Sequence, residues 1–132
     1  MSELRRVMCV EDDPDIRMII EFSLATLGGY QVCLCPDGRA ALTQAPNFKP
    51  DLVLLDVMMP GELDGLDLCR AMKSTPKLHG VPVIILSARG GSADREAGLN
   101  AGATEYLVKP FSPMQLLVLL GDIVAKPQSG RS

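Results

Sequence analysis

Four apolar runs in this chain end on groups that carry charge or a reactive oxygen. Glu11-Asp12-Asp13 follows Val7-Met8-Cys9-Val10, and Asp56 follows Leu52-Val53-Leu54-Leu55. Ser87 follows Val83-Ile84-Ile85-Leu86, and Lys109-Pro110 follows Tyr106-Leu107-Val108. Asp56 is the most demanding of these, because Val57-Met58-Met59 continues the apolar chain on its far side. An ionised carboxylate in apolar surroundings is costly unless it is paired, hydrogen-bonded or bound to a metal. If the run ends converge, carboxylates, a hydroxyl and one ammonium share a site. Clustered carboxylates repel unless a cation holds them, and hard oxygen donors with room for water suit Mg²⁺ better than zinc or copper. Taken singly, the residues have plainer readings. Asp13 is an N-cap, Ser87 a strand-end hydroxyl on backbone, and Lys109 a surface lysine.

The elements that must position these groups alternate along the chain. Arg5–Val10, Gln31–Cys35, Asp51–Leu55, Val81–Leu86 and Thr104–Val108 read as strands, continuous enough to be covered on both faces. Asp13 and Pro14 start a first helix, in which Ile16, Ile19, Ile20, Leu24 and Leu27 recur at helical spacing until Gly28-Gly29. A second helix covers Arg39–Ala45 and a third Leu66–Lys73, ending before Pro76. Ser92 opens a fourth that is poor in large apolar residues. Ser112-Pro113-Met114-Gln115 opens the fifth as a capping box. Such repeated β–α units imply a parallel sheet with right-handed crossovers and helices on both faces. Ligands of such sheets bind outside the carboxyl ends of the strands, where strand order reverses.

The chain's 132 residues suit one domain, here residues 1–126, followed by a short tail of linker composition at 127–132. Net charge is −3, and Arg5-Arg6 is the one basic stretch, which argues against direct binding of nucleic acid or an anionic membrane surface. Early charges leave no apolar core for a signal peptide, and the run Met114–Leu120 is too short to span a bilayer. A cytoplasmic location follows as the expectation. Cys9, Cys33, Cys35 and Cys69 then read as reduced thiols, with the sulfurs of Cys33 and Cys35 on one strand face. Those two lack a second thiol pair, and His79 is the only histidine, so they do not compose a metal site.

With these residues in view, the chain resembles the receiver domain of two-component response regulators. The matching pieces are VEDDPDIR, DLVLLDVMMPG, PVIILSAR and GATEYLVKPFSP, in the family's order and spacing over nearly the whole chain. The resemblance implies a flavodoxin-like (βα)5 sandwich with a five-stranded sheet of order 2-1-3-4-5. It implies that Asp56 accepts a phosphoryl group from a histidine kinase or phosphotransfer protein. Glu11 and Asp12 would hold Mg²⁺ together with Asp56 and the backbone carbonyl of Met58. Lys109 would pair with a phosphoryl oxygen and Ser87 would hydrogen-bond another, with Ser87 and Tyr106 acting as switch residues. The family pattern also gives a cis peptide between Lys109 and Pro110, and a sharp return of Lys109 toward Asp56 favours the same isomer. The domain would regulate rather than act as an enzyme on other substrates, assisting only its own phosphorylation and dephosphorylation.

One departure stands out. Pro60-Gly61-Glu62-Leu63-Asp64-Gly65 is one residue longer than the family's Pro-Gly-x-Asp-Gly, which puts the shape of that loop and its kinase contacts in question. Two other readings compete. A flavin- or nucleotide-binding module would want a Gly- or Ser/Thr-rich phosphate cradle after the first strand, where this chain has three acids. An aspartyl phosphatase would want a second acid at position 58, which is Met. For the output, Leu116, Leu117, Leu120, Ile123 and Val124 should pack on the sheet, with Gln115, Asp122 and Lys126 on the wet side. Val118 and Leu119 flank that stripe. They suggest a surface of helix 4, strand 5 and helix 5 for a protein target or a self-dimer.

Overall fold

Five short apolar runs become strands, and the central three bury both of their faces. The computed structural model describes residues 6–56, 65–76, 78–88 and 90–125. Strands β1 (Arg6–Val10), β2 (Gln31–Cys35), β3 (Leu52–Asp56), β4 (Val83–Ser87) and β5 (Glu105–Val108) pair in parallel in the order β2-β1-β3-β4-β5. They alternate with helices α1 (Pro14–Glu21), α2 (Gly38–Phe48), α3 (Gly65–Lys73), α4 (Ser92–Asn100) and α5 (Pro113–Ala125). This is the flavodoxin-like arrangement expected from the sequence.

Side chains on a strand alternate between faces, and here that alternation builds two cores. Val7, Cys9, Leu52, Leu54, Ile84 and Leu86 face one way, onto Ile20, Leu24 and the α5 residues Leu116, Leu120 and Ile123. Met8, Val10, Val53, Leu55, Val83 and Ile85 face the other way, onto α2, α3 and the region of Ala101 and Tyr106. On α5, Leu117 and Leu119 are half-buried against the first core and Val118 is exposed. The side chain of Val124 lies outside what is described.

Several boundaries differ from the sequence expectation. The first helix does not stay α-helical to Leu27: Phe22–Leu27 is π-helical. Buried Ser23 gives a reason, since its hydroxyl donates to the Ile19 carbonyl at 2.7 Å, the acceptor its own amide would use in an α-helix. Helix α2 runs past Pro46 to Phe48 and closes with Lys49 in the left-handed region, its amide donating to Ala45 O at 2.8 Å. Strand β4 starts at Val83 rather than Val81, because Pro82 has no N–H for the ladder, although its carbonyl accepts from Val53 N at 3.0 Å. Residues 57–64, with Met58 and most of the lengthened loop, lie outside the described residues, as do Arg5 and 126–132.

The cap of α5 follows the expected pattern. Ser112 Oγ accepts from Gln115 N at 3.1 Å, and Gln115 Oε1 accepts from Ser112 N at 2.8 Å. Ser112→Ala should lower the unfolding free energy by about 1 kcal/mol, seen in urea as a lower midpoint at unchanged slope. Ser112→Asp should retain most of the stability, and equal loss in both variants would contradict the cap.

Candidate functional site

Because β1 lies between β2 and β3, the chain leaves β1 toward one edge of the sheet and later returns to its other side. The crevice beyond β1 and β3 is therefore where strand order reverses. Glu11 emerges there directly after β1, and Asp56 is the last residue of β3, paired with Leu86 of β4. Both are buried: Glu11 is 0% exposed and Asp56 2%. Asp12 beside them is exposed. One carboxylate oxygen from each of Glu11, Asp12 and Asp56 lies within 4.8 Å of the others.

Among the described residues, an ammonium reaches into this cluster from 98 residues away in sequence. Lys109 Nζ donates to Glu11 Oε1 at 2.9 Å and lies 3.3 Å from Asp56 Oδ2. The lysine is carried by the segment after β5, whose Lys109–Pro110 bond is cis, and its amide donates to Ser87 O at 2.7 Å. Ser87 closes β4 and is fully buried. Tyr106, on β5, is 8% exposed and stands opposite Ile85 in the ladder.

Backbone contacts fix Glu11 further. Its amide donates to Cys35 O at 3.0 Å, and its Oε2 accepts from Asp13 N at 3.2 Å. Arg17 Nη1 donates to its carbonyl at 2.7 Å. Asp13 itself caps α1, accepting from Asp15 N at 2.8 Å. Sequence reasoning gave Asp13 this role and missed Arg17. The available signal was its position four residues after the cap, on the first turn of a helix that starts beside the acids.

The electrostatics follow from two buried carboxylates around one ammonium. Burial, reinforced by a hydrogen bond shared with Asp56, pushes the Glu11 carboxyl up to about 7 against the pull of Lys109. Burial alone would lower Lys109, but the hydrogen bond to Glu11 and the charges of Asp56 and Glu11 outweigh it and raise the ammonium above its ordinary value. The lysine stays protonated while Glu11 competes for a proton near neutrality. Oxygen donors without a thiol or imidazole fit a small hard cation. Among the sequence-expected site residues, Glu11, Asp12, Asp56 and Lys109 come together, and Ser87 adjoins them through the Lys109 amide. Tyr106 sits on the neighbouring strand, and Met58 is outside the described residues.

Comparison with known proteins matches the geometry to a family. The Response regulator receiver domain matches residues 7–120. The response regulator MprA of Mycolicibacterium vanbaalenii is 46% identical over 121 residues, which are 92% of this chain and 51% of that protein. The chain thus spans about half the length of the curated relatives it matches. Among solved structures, a putative response regulator from Chloroflexus aurantiacus superposes with a TM-score of 0.86 at 34% identity, covering 92% of this chain and 98% of that one. The receiver domain of sensor histidine kinase PA1611 from Pseudomonas aeruginosa PAO1 has a magnesium ion coordinated in its active site cleft. It superposes with a TM-score of 0.83 at 34% identity, over 92% and 98% of the two chains. These likenesses favour a receiver over a flavin- or nucleotide-binding module. With the profile match spanning nearly the whole sheet and its helices, this chain belongs to the response regulator receiver domain family.

Proposed function

We propose that Asp56 is the phosphoacceptor of this receiver and that Glu11 and Asp12 hold Mg²⁺ beside it. The observation that carries the reading is one buried carboxylate at a strand end, 3.3 Å from Lys109 Nζ and ringed by two further acids. The donor would be a phosphohistidine on a histidine kinase or phosphotransfer protein. An Asp56 oxygen attacks the phosphorus, the N–P bond breaks, and the imidazole leaves with the electron pair. Bound there, Mg²⁺ would neutralise charge on the phosphoryl oxygens. Lys109 adds a fixed positive charge on the same side, and transfer needs little beyond such alignment and charge cancellation. The product is an acyl phosphate, a reactive and therefore reversible mark. Its formation and its loss would both be assisted by the receiver's own residues.

Incubation with acetyl phosphate and Mg²⁺ should add one phosphoryl mass, and Asp56→Asn should abolish the addition. An undiminished mass shift in that variant would refute the assignment. Asp12→Asn should weaken Mg²⁺ binding, whereas Asp13→Asn should change little, because Asn caps as well as Asp.

Proton and metal compete for the same carboxylates. The folded Glu11 value of about 7 lies above its ordinary 4.5, so the folded state binds more protons than the unfolded one between these values. The stabilising contribution of protonated Glu11 is complete below 4.5 and is lost as pH rises through about 7. In a chelator, the thermal midpoint should therefore fall across this window, and Glu11→Gln should flatten the fall. Millimolar Mg²⁺ should restore stability most at the alkaline end. A Gln variant with the parent's pH slope would contradict the account.

A cytoplasmic site of action fits four free thiols, and no helix among the described residues is long and apolar enough to cross a membrane. For output, Leu99 on α4 with Met114 and Val118 on α5 are more than half exposed, which supports a protein-binding or self-dimerising face built from α4, β5 and α5. Sedimentation with beryllofluoride and Mg²⁺ should show dimers if the partner is a second copy. A monomer at high concentration in both states would remove self-association and leave a heterologous partner.

A further inference from the structure

Helix α4 packs over β5 with unusually little side-chain bulk, and two of its residues bear on one ring. Gly98 is buried, and a Cβ there would stand 3.0 Å from both Tyr106 Cδ2 and Ile85 Cδ1, and 3.2 Å from Tyr106 Cε2. Few real Cβ atoms make such close contacts, so the ring or the Ile85 side chain would have to give way to any larger residue at position 98. One turn earlier, the guanidinium carbon of Arg95 lies 5.4 Å from the centroid of the same ring. That is within the range of a cation–π contact. Arg95 is itself exposed, so it covers the ring from the solvent side without being buried.

We propose that Arg95 is a positioning residue, a cationic latch that holds Tyr106 against α4, and that Gly98 supplies the clearance the ring needs. The inference rests on the reading of Tyr106 as a switch residue and goes beyond it by naming what sets the ring's resting preference. Tyr106 neighbours Ile85 across the ladder, and Ser87 follows two residues later on the same face of β4. A bias on the ring therefore acts next to the hydroxyl proposed to meet the phosphoryl group. The energetic lever is small by design: an exposed cation–π contact changes a two-state ratio by about two- to fivefold. A bias of that size tunes a switch without freezing it.

The chain has two tyrosines and no tryptophan, so Tyr30→Phe makes Tyr106 the sole tyrosine fluorophore. In that background, acrylamide quenching of the full chain reads how far the ring is shielded. Arg95→Gln keeps helix propensity nearly constant while removing the charge. It should shift the shielded-to-exposed ratio toward exposure by about two- to fivefold, and Arg95→Lys should fall between Gln and the parent. Gly98→Ala should expose the ring with Arg95 still in place. The Arg95 series stands by itself if Gly98→Ala fails to fold. Quenching of Arg95→Gln at the parent value, or a Lys variant no better than Gln, overturns the latch. The ring is read with no phosphodonor, whereas phosphorylation of Asp56 is read by mass and the switch by added beryllofluoride and Mg²⁺. Beryllofluoride that fails to shield the ring in Arg95→Gln would count against the switch reading. The Gln and Lys quenching series decides the latch independently of that result.

Discussion

The site depends on Lys109 lying between two buried carboxylates. Glu11 and Asp56 both lose water, and one ammonium answers two negative charges. Such an arrangement is poor as a device for stability, since apolar residues of similar volume often serve a core as well as a buried ion cluster. Its value lies in leaving a charge to be met. A proton on Glu11 meets it near neutrality, and a hard cation can take the proton's place. The proposed nucleophile is thus held in an acid-rich pocket suited to a hard cation.

Nothing local in the chain could assemble that cluster. Glu11, Asp56 and Lys109 come from the ends of three different strands, and the parallel order β2-β1-β3-β4-β5 brings those ends to one edge. The apolar continuity of β1, β3 and β4, buried on both faces, holds the register that places each carboxylate. The amide of Lys109 is bonded to Ser87 O, which ties the backbone carrying the lysine to the end of β4. The Asp56 carboxylate acts directly on the Lys109 ammonium at 3.3 Å.

Most of this edge was legible because strand ends, caps and turn residues announce themselves locally. The runs before Glu11 and Asp56, the Asp13-Pro14 start and the Ser112–Gln115 box each follow from short-range chemistry. The misses required knowledge of what lies across space or of a competing local bond. The π-helical turn depends on the Ser23 hydroxyl choosing the Ile19 carbonyl, and a serine on a helical face does not reveal that choice. Arg17 bonds the backbone of Glu11, a partner that periodicity does not identify. The small residues of α4 were visible in the sequence, but their reason was not. Gly98 reads as a weak helix residue until the Tyr106 ring is seen against it.

That contrast between α4 and α5 explains where motion can occur at least expense of packing. Helix α5 sends Leu116, Leu120 and Ile123 into one core, whereas α4 itself contributes no large buried side chain among the described residues. A helix anchored by small residues gives up few apolar contacts when it shifts. The β1–β3–β4 centre gives up many and stays put. The residues proposed for chemistry therefore stand at or just beyond the ends of strands. The ring proposed for switching stands between those strands and the loosely packed α4. In the proposed switch, an exchange of charge at Asp56 would move α4 and the ring beneath it while the strand ends keep their geometry.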